Sequence, residues 1–421
     1  MPLVRRNSPR HDAIVTVVRD PGSYTSPVTS AGEPAVDLLA DAASVQAAVR
    51  RARTGLVDRE VLTEVVALCA VAGEHLLVVG PPGTAKSEAV RRVSRQLGGQ
   101  YFEYLLGRFT EPNEVFGPID LQRLREGVVE VQTAGMVPEA DIAFLDEVFL
   151  GSTAILNTLL GILNERVFRR GSTLVQCPLR VCVGATNRLP EDPALDAFAD
   201  RFLARVCVDP VADARLEELL EAGWQSEASG GPENGTLMPA LDRLSAAALD
   251  CDHTAVQPLL GIAVRRLRAA GVMLSDRRVV RAQRLVAAAA ILDGRSHATG
   301  VDLWVLPLVA PTADAQVLAR ETLADLLATS TNTSLLHAAE EYSRGPLARA
   351  ERLTETGRAL LDGLRTGLTE RDALLRVEAT LREIDAAFAT EDLPAGLAEV
   401  RGQLVAASQH TTDDAAVAAQ A

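Results

Sequence analysis

The chain has 421 residues, and a hydrophobic content of 48% is enough to bury a sizeable core spread over about three domains of ordinary size. A formal net charge of −14 and an aromatic content of 4% argue against a general nucleic-acid binder, which needs a basic face or a stacking surface. No apolar run reaches about 18 residues and no continuous apolar segment lies near the N-terminus, so we expect neither a membrane span nor a signal peptide.

Cysteine usage bears on the cellular compartment. The five cysteines are scattered and show no metal-binding spacing; they are Cys69, Cys177, Cys182, Cys207 and Cys251. An odd number without such spacing predicts reduced side chains that are buried as small hydrophobic residues. This predicts a cytoplasmic location.

The first half of the chain predicts an α/β domain after a flexible tail. Pro, Gly, Ser and Thr cluster before residue 35, and we assign residues 1–45 to the tail, followed by helices over 45–52 and 59–70. Short apolar runs then alternate with helical patterns up to residue 210. Such alternation predicts a parallel sheet flanked by helices, so residues 46–210 form the predicted core.

The second half predicts only helices. Residues 211–335 form a predicted all-α lid that contains a flexible excursion; the helices lie at 217–222, 246–249, 259–270, 278–292 and 315–327, and the excursion at 226–235. Residues 336–421 form a predicted helical extension whose end, 409–421, is disordered. Within it, five apolar residues form a heptad stripe: Leu374, Val377, Leu381, Ile384 and Phe388. The stripe packs either on its own chain or on a partner, and its shortness favours the first interpretation.

The stretch GPPGTAKS, residues 80–87, predicts a phosphate-binding loop. It follows an apolar strand, precedes a helical pattern and contains Lys86, the only lysine among 42 basic residues. A slender ammonium enters a tight loop where a planar guanidinium does not fit. Lys86 would reach the β- and γ-phosphates and Ser87 would hold Mg²⁺. The cradle itself would be Gly80, Pro81, Pro82, Gly83, Thr84 and Ala85, the last standing where glycine is usual and fitting if its φ is already helical.

Further polar residues follow later strands. Asp146 and Glu147 end an apolar run, and we expect Asp146 to bind the metal through water and Glu147 to deprotonate the attacking water. Asn187 ends another run and could contact the γ-phosphate or that water. Its alternative role is that of a turn former.

Two arginines are candidates for stabilising the transition state. Arg201 could act as an arginine finger on a neighbour's ATP, with Arg205 in reserve, or could be a surface arginine paired with Asp200. Arg277, at the start of a helix, could reach back to the γ-phosphate. We expect Arg278, Arg281 and Arg284 to form a solvated face.

These motifs together resemble the MoxR family of AAA+ ATPases, and its RavA-like branch in particular. The matching stretches, GPPGTAKS, LLGRFTEPNEVFGPID, GMVPEADIAFLDEVF, AILNTLLGILNERVF, GATNRLPEDPALDAFADRFLARV and LSDRR, cover about residues 53–290. The resemblance implies a hexameric ring with ATP and Mg²⁺ between subunits. It places three residues near the adenine, namely Gly55, Leu56 and Val57.

The resemblance also implies two projecting elements that face the pore, one around residues 116–136 and a hairpin around 166–175. It further implies chaperone-like remodelling, often with a von Willebrand A-type partner. The candidate pore residues are mixed in character: Arg166, Arg169 and Arg170 are basic, Phe168 offers an apolar grip, and Glu126, Glu130 and Glu165 are acidic.

Three functions stay open at this point: an ATP-driven protein remodeller, a nucleic-acid motor, and a slow ATP-gated switch within a larger assembly. The net charge and the scarcity of aromatic residues favour the first and argue against nucleic acid as a partner.

Overall fold

A computed structural model describes residues 34–211, 215–228, 235–366, 370–388 and 393–418. The predicted tail up to residue 33, residues 229–234 of the predicted excursion and the last three residues lie outside this description. The predicted tail is too long, because helix α1 begins at Pro34. Alanine-rich sequence favours a helix, and the residues Ala42, Val45 and Val49 lie on its buried face.

The α/β part contains seven helices and seven strands in the described residues. The strands are β1 His75–Val79, β2 Tyr101–Leu105, β3 Ile142–Asp146, β4 Val167–Arg170, β5 Thr173–Gln176, β6 Val181–Thr186 and β7 Phe202–Cys207. The helices are α1 Pro34–Arg53, α2 Glu60–Ala72, α3 Lys86–Leu97, α4 Pro112–Phe116, α5 Leu121–Arg125, α6 Thr153–Glu165 and α7 Asp196–Ala199.

Five strands form one parallel sheet in the order β2-β3-β6-β1-β7. Alternate residues of β1 enter different cores, since Leu76 and Val78 pack with α1, α2 and α3 whereas Leu77 packs with α6. Because all five strands are parallel, their carboxyl ends lie at one edge of the sheet. We call this the carboxyl edge and the opposite one the amino edge. The predicted α/β fold is thus confirmed.

The following region is helical, as predicted. Its helices are α8 Leu216–Ala228, α9 Met238–Leu249, α10 Gln257–Ala269, α11 Asp276–Leu292, α12 Val305–Leu308, α13 Ala313–Thr322 and α14 Ala324–Leu327. Helix α11 carries a continuous buried stretch from Leu285 to Leu292 and packs against α2 and α9. The lid is therefore joined to the α/β part through a shared core.

The C-terminal helices are α15 Leu336–Ser343, α16 Pro346–Thr366, α17 Glu370–Ala387 and α18 Ala395–Ala418. The last three pack together around a separate small core that includes Val377 and Ile384, with Leu381 and Phe388 against it. The heptad stripe thus packs on its own chain, although the side chain of Leu374 lies outside the description. The predicted disorder over 409–421 is wrong as far as Ala418, where α18 continues.

Both projecting elements exist. Residues 119 and 131 form an antiparallel bridge around α5, and β4 pairs with β5 as a hairpin. The elements touch, since Ser172 N and Oγ both donate to Val129 O, at 2.9 and 2.6 Å.

The prediction that Phe168 offers an exposed apolar grip is wrong. Phe168 is fully buried and stacks on Phe116, with ring centroids 5.5 Å apart. Apolar side chains that are exposed on these two elements are Leu121, Leu124, Val129 and Leu174 instead.

The cysteine prediction holds at four positions, where the thiols are free and buried. Cys207 is exposed, because it ends β7, the edge strand of the sheet. Among the described residues, no helix is both long and apolar enough to cross a bilayer.

Candidate active site

The loop between β1 and α3 lies at the carboxyl edge in the middle of the sheet. Gly80 N donates to Thr186 O at 3.0 Å, which fastens the start of the loop to β6. A Cβ atom at Gly80 would lie 2.1 Å from Val208 O, so only glycine fits there. None of the amide N–H groups of residues 84–87 has a hydrogen-bond partner among the described residues. These free donors at a helix N-terminus form an anion-binding cradle.

Ala85 differs from the expectation. Its φ of 56° and ψ of 27° are left-handed, whereas a right-handed helical φ was predicted. The left-handed conformation brings the Cβ of an L-residue too close to the following carbonyl oxygen and costs about 1–2 kcal/mol. The loop therefore holds a strained alanine at a position where glycine would be unstrained.

Lys86, the first residue of α3, lies across this cradle. Its Nζ donates to the carbonyls of Gly80 and Pro81, both at 2.8 Å. Burial lowers the pKa of Lys86, and the nearby carboxylates of Asp146 and Glu147 oppose that shift. The carboxylates of Asp146 and Glu147 thus lie close enough to the Lys86 ammonium to interact with it, as the sequence predicts.

Asp146 and Glu147 follow the buried part of β3, next to β6 in the sheet. Glu147 N donates to Asp146 Oδ1 at 3.0 Å, and Glu147 has a left-handed φ of 48°. Asn187 follows β6, and its Nδ2 donates to Glu147 Oε1. The structure therefore brings Lys86, Asp146, Glu147 and Asn187 together at the carboxyl edge. Ser87 lies half-buried in the first turn of α3 at the same edge.

The oxygen-rich part of this group suits a magnesium nucleotide. Mg²⁺ prefers hard oxygen ligands and keeps several waters, so a hydroxyl from Ser87 and a carboxylate from Asp146 are a sufficient protein set. Phosphate oxygens would be matched by the free amides of residues 84–87 and by Lys86. The residues present thus fit both ATP and Mg²⁺.

Segment 55–57 connects α1 to α2 and lies against α3. Gly55 has a left-handed φ of 77°, Val57 is buried, and Leu56 packs against the main core. Arg92 of α3 donates from Nη1 to Thr54 O at 2.7 Å. The segment is thus held beside the helix that carries the phosphate loop.

Arg201 lies at the amino edge, away from the phosphate loop. It directly precedes β7, and the next residue, Phe202, pairs with His75 at the start of β1. Its only ion pair among the described residues is a long one of 3.8 Å with Asp200. Its Nε is buried without a partner.

Arg277 lies at the same amino edge, so the expectation that it reaches back to its own γ-phosphate is wrong. Arg277 donates to Asn164 Oδ1 at the end of α6. Burial lowers the pKa of Arg277, and the positive charges of Arg201 and Arg281 lower it further. The lid therefore places Arg277 beside Arg201 rather than beside Lys86.

The remaining arginine assignments also change. Arg205 cannot be the reserve finger, because it points inward from β7 and donates to the carbonyls of Pro311 and Ala199; burial lowers its pKa to about 10. Arg278 is not solvated but buried, and it donates to Asp200 Oδ1 and to three main-chain carbonyls. Arg281 and Arg284 both pair with the buried carboxylate of Glu74.

Arg166 is likewise structural. Its guanidinium donates to the carbonyls of Leu163 and Gly73 and contacts His75, which removes it from any pore surface. Arg169 remains exposed, and Glu126 and Glu130 both pair with Arg123. No local pattern indicates these structural roles, because most of the acceptors, such as Gly73 for Arg166 and Glu74 for Arg281, lie far away along the chain.

Comparison with known proteins places this geometry in a family. A model described as the MoxR domain in MoxR-vWA-beta-propeller ternary systems matches residues 43–246, and a model of an AAA lid domain matches residues 261–316.

Individual relatives agree with this placement. An uncharacterized protein of Methanocaldococcus jannaschii is 36% identical over 237 residues, which are 56% of this chain and 63% of the relative. The chaperone MoxR1 of Mycobacterium tuberculosis is 25% identical over 199 residues, 44% of this chain and 52% of that protein. This chain therefore spans less than two thirds of the length of either relative.

A solved structure supports the fold. The crystal structure of a candidate ATPase from Cytophaga hutchinsonii superimposes with a TM-score of 0.57 at 14% identity, covering 71% of this chain and 97% of that one. The matched residues of the two family models include the phosphate loop, the carboxylate pair, Arg201 and Arg277. The matched part of the chain therefore belongs to the MoxR family of AAA+ proteins.

Proposed function

We propose that this chain hydrolyses ATP and uses the energy to remodel protein partners. The observation that carries the proposal is the meeting of free amides, Lys86, Asp146 and Glu147 at one edge of the sheet. Phosphoryl transfer requires little covalent chemistry from the protein and depends on positioning and on stabilising charge. This edge supplies both for a triphosphate.

The residues have distinct roles in this proposal. The amides of residues 84–87 and Lys86 bind the phosphates, while Ser87 and Asp146 hold Mg²⁺, which neutralises charge on the phosphates when it is bound. Glu147 accepts a proton from the attacking water, and Asn187 orients the Glu147 carboxylate through its hydrogen bond. Segment 55–57 would border the adenine, since it lies beside α3.

In this proposal a neighbouring chain completes the site. Strand β1 has five residues, so its amino and carboxyl ends are about 16 Å apart at about 3.3 Å per residue. Arg201 and Arg277 both lie at the amino edge and do not reach their own phosphate loop. We propose that they act on the nucleotide of a neighbouring subunit in a ring, which we take to be a hexamer.

Proteins are the proposed substrates. The hairpin is less basic than its sequence indicates, because Arg166 is half-buried with its guanidinium bonded to main-chain carbonyls, and Arg169 is the one exposed arginine of the three. Leu121, Leu124, Val129 and Leu174 are exposed on the two projecting elements and suit an apolar protein surface. A von Willebrand A-type protein is the proposed partner, because the matching MoxR model is described from systems that contain one. The RavA-like placement and the cytoplasmic location remain proposals.

The choice between protein and nucleic acid as the substrate is tested by the rate of phosphate release from Mg²⁺-ATP with each of them added. We expect no stimulation by single- or double-stranded DNA or RNA at low salt, and stimulation by a co-encoded von Willebrand A-type protein. The matched control is Lys86→Ala, which removes the ammonium and should abolish any stimulated rate. A several-fold stimulation by nucleic acid that falls steeply with salt would favour the motor instead.

A further inference from the structure

A buried arginine that no motif singled out touches the phosphate loop. Arg59 precedes α2, and only 4% of the residue is exposed. Its Nε donates to Thr84 O at 2.7 Å, its Nη1 to Asp58 O, and its Nη2 to Asp209 O at 2.9 Å. One side chain thus joins the segment before α2, the phosphate loop and the segment after β7.

All three acceptors are main-chain carbonyls. No carboxylate lies within ion-pair distance of Arg59 in the described part of the chain. Burial lowers the pKa of Arg59, against a weaker opposing effect of three nearby acidic residues. The planar guanidinium therefore acts here through the direction of its hydrogen bonds, which a flexible ammonium cannot reproduce.

The hydrogen bond from Arg59 to Thr84 O constrains the peptide group between Thr84 and Ala85. Because a trans peptide is planar, fixing the Thr84 carbonyl also fixes the direction of the Ala85 N–H on its opposite side. That N–H is one of the free amides of the cradle. Ala85 is strained in the left-handed region, and relief of the strain would rotate this same peptide.

We propose that Arg59 is a positioning residue that holds the Thr84–Ala85 peptide in its phosphate-binding orientation against the strain at Ala85. This inference rests on the proposed nucleotide site and adds a residue to it. It also explains how the loop keeps its shape with alanine where glycine would be unstrained. Since the peptide belongs to the cradle and not to the hydrolytic group, Arg59 affects the binding of ATP and ADP alike.

The experiment is a double-mutant cycle on Mg²⁺-ADP affinity measured by calorimetry. Arg59→Met keeps the volume and removes the donors, so the loop relaxes and the dissociation constant rises about ten-fold, as expected for the loss of a hydrogen bond from a charged donor. Ala85→Gly alone is the second single variant of the cycle, and its effect on affinity is compared with its effect in the Arg59→Met background. In the Arg59→Met background, however, Ala85→Gly recovers several-fold, because glycine adopts the left-handed conformation without strain.

Two further variants distinguish the effect of hydrogen-bond geometry from the effect of charge and from a general loss of stability. Arg59→Lys keeps the charge but cannot reach three carbonyls, so we expect it to bind as weakly as Arg59→Met. Arg91→Met is the matched control, since Arg91 is an arginine of α3 whose partners are Glu88 and Glu103, outside the loop. It should leave affinity unchanged and combine additively with Ala85→Gly.

The outcomes separate this inference from the proposed function. If the wild-type chain binds no nucleotide, the proposed function fails. The same cycle measured by thermal unfolding without nucleotide then still tests the coupling between positions 59 and 85. If the wild type binds and Ala85→Gly gives no recovery in the Arg59→Met background, the inference is wrong while the site stands. Wild-type affinity in Arg59→Lys would also overturn it.

Discussion

The position of Arg201 gives a prediction that depends on two chains. Arg201 lies about 16 Å from its own phosphate loop along β1, and an arginine side chain cannot bridge that distance. Arg201→Ala should therefore fold, bind ATP and hydrolyse it at least about 1,000-fold more slowly, the lower end for loss of an arginine finger. Lys86→Ala should also be inactive, but because it loses the contact between its own loop and the phosphates.

Mixing the two inactive variants should restore activity. In a randomly mixed ring at equal amounts, an interface works when an Arg201→Ala subunit supplies the loop and a Lys86→Ala subunit supplies the arginine. Each condition has a probability of one half, so about a quarter of the wild-type rate should return.

The assay is phosphate release after co-refolding or subunit exchange, with native mass spectrometry to establish mixed rings. The control is a mixture of Lys86→Ala with Glu147→Gln, since both changes disable the side of the interface that carries the phosphate loop, and no interface in the mixed ring is then complete. Absence of recovery in rings shown to contain both variants would refute the action of Arg201 in trans.

Other predictions follow from buried groups. His75 is fully buried, and Cys182 N donates to its Nδ1 at 3.0 Å, so the ring is neutral with its proton on Nε2, and desolvation and Arg166 hold its pKa well below the usual range. Below about pH 6.5 the unfolded chain binds a second proton on this ring and the folded chain does not. The free energy of unfolding should therefore keep the full contribution of His75 above that pH and fall by up to about 1.4 kcal/mol per pH unit below it. Urea unfolding at a series of pH values should show a shallower fall for His75→Gln, and an unchanged slope would contradict the assignment. Phe168→Ala should lower the free energy of unfolding by about 3–5 kcal/mol, whereas Leu174→Ala on the same hairpin should change it little, and equal effects in denaturant titrations would mean that the Phe116–Phe168 stack is not formed.

The parts of this molecule that the sequence predicts best are those set by local pattern. Residues 80–87 and the pair Asp146–Glu147 follow apolar strands, and parallel topology then brings them to one edge without further information. The helical lid follows from apolar spacing in the same way.

The errors concern long-range packing. In the sequence, Arg278 resembles part of a solvated arginine face. In the structure it is buried, and it donates to Asp200 and to carbonyls of β7, which lie far away along the chain. Phe168 looks exposed on a hairpin, yet Phe116 of the other projecting element covers it. Ala85 has a left-handed φ that no neighbouring residue indicates. The residue that bonds to the preceding carbonyl, Arg59, is separated from Ala85 in the sequence by a whole helix and a strand.

The central claim is that Glu147 is the base for ATP hydrolysis at this edge of the sheet. The most direct measurement is single-turnover hydrolysis and nucleotide retention in Glu147→Gln, because the amide keeps the shape and the hydrogen-bonding partner but cannot accept the proton. We predict that Glu147→Gln binds Mg²⁺-ATP as the wild type does, retains it unhydrolysed through gel filtration, and turns over at least about 100-fold more slowly. Turnover of ATP by Glu147→Gln at the wild-type rate would contradict the account.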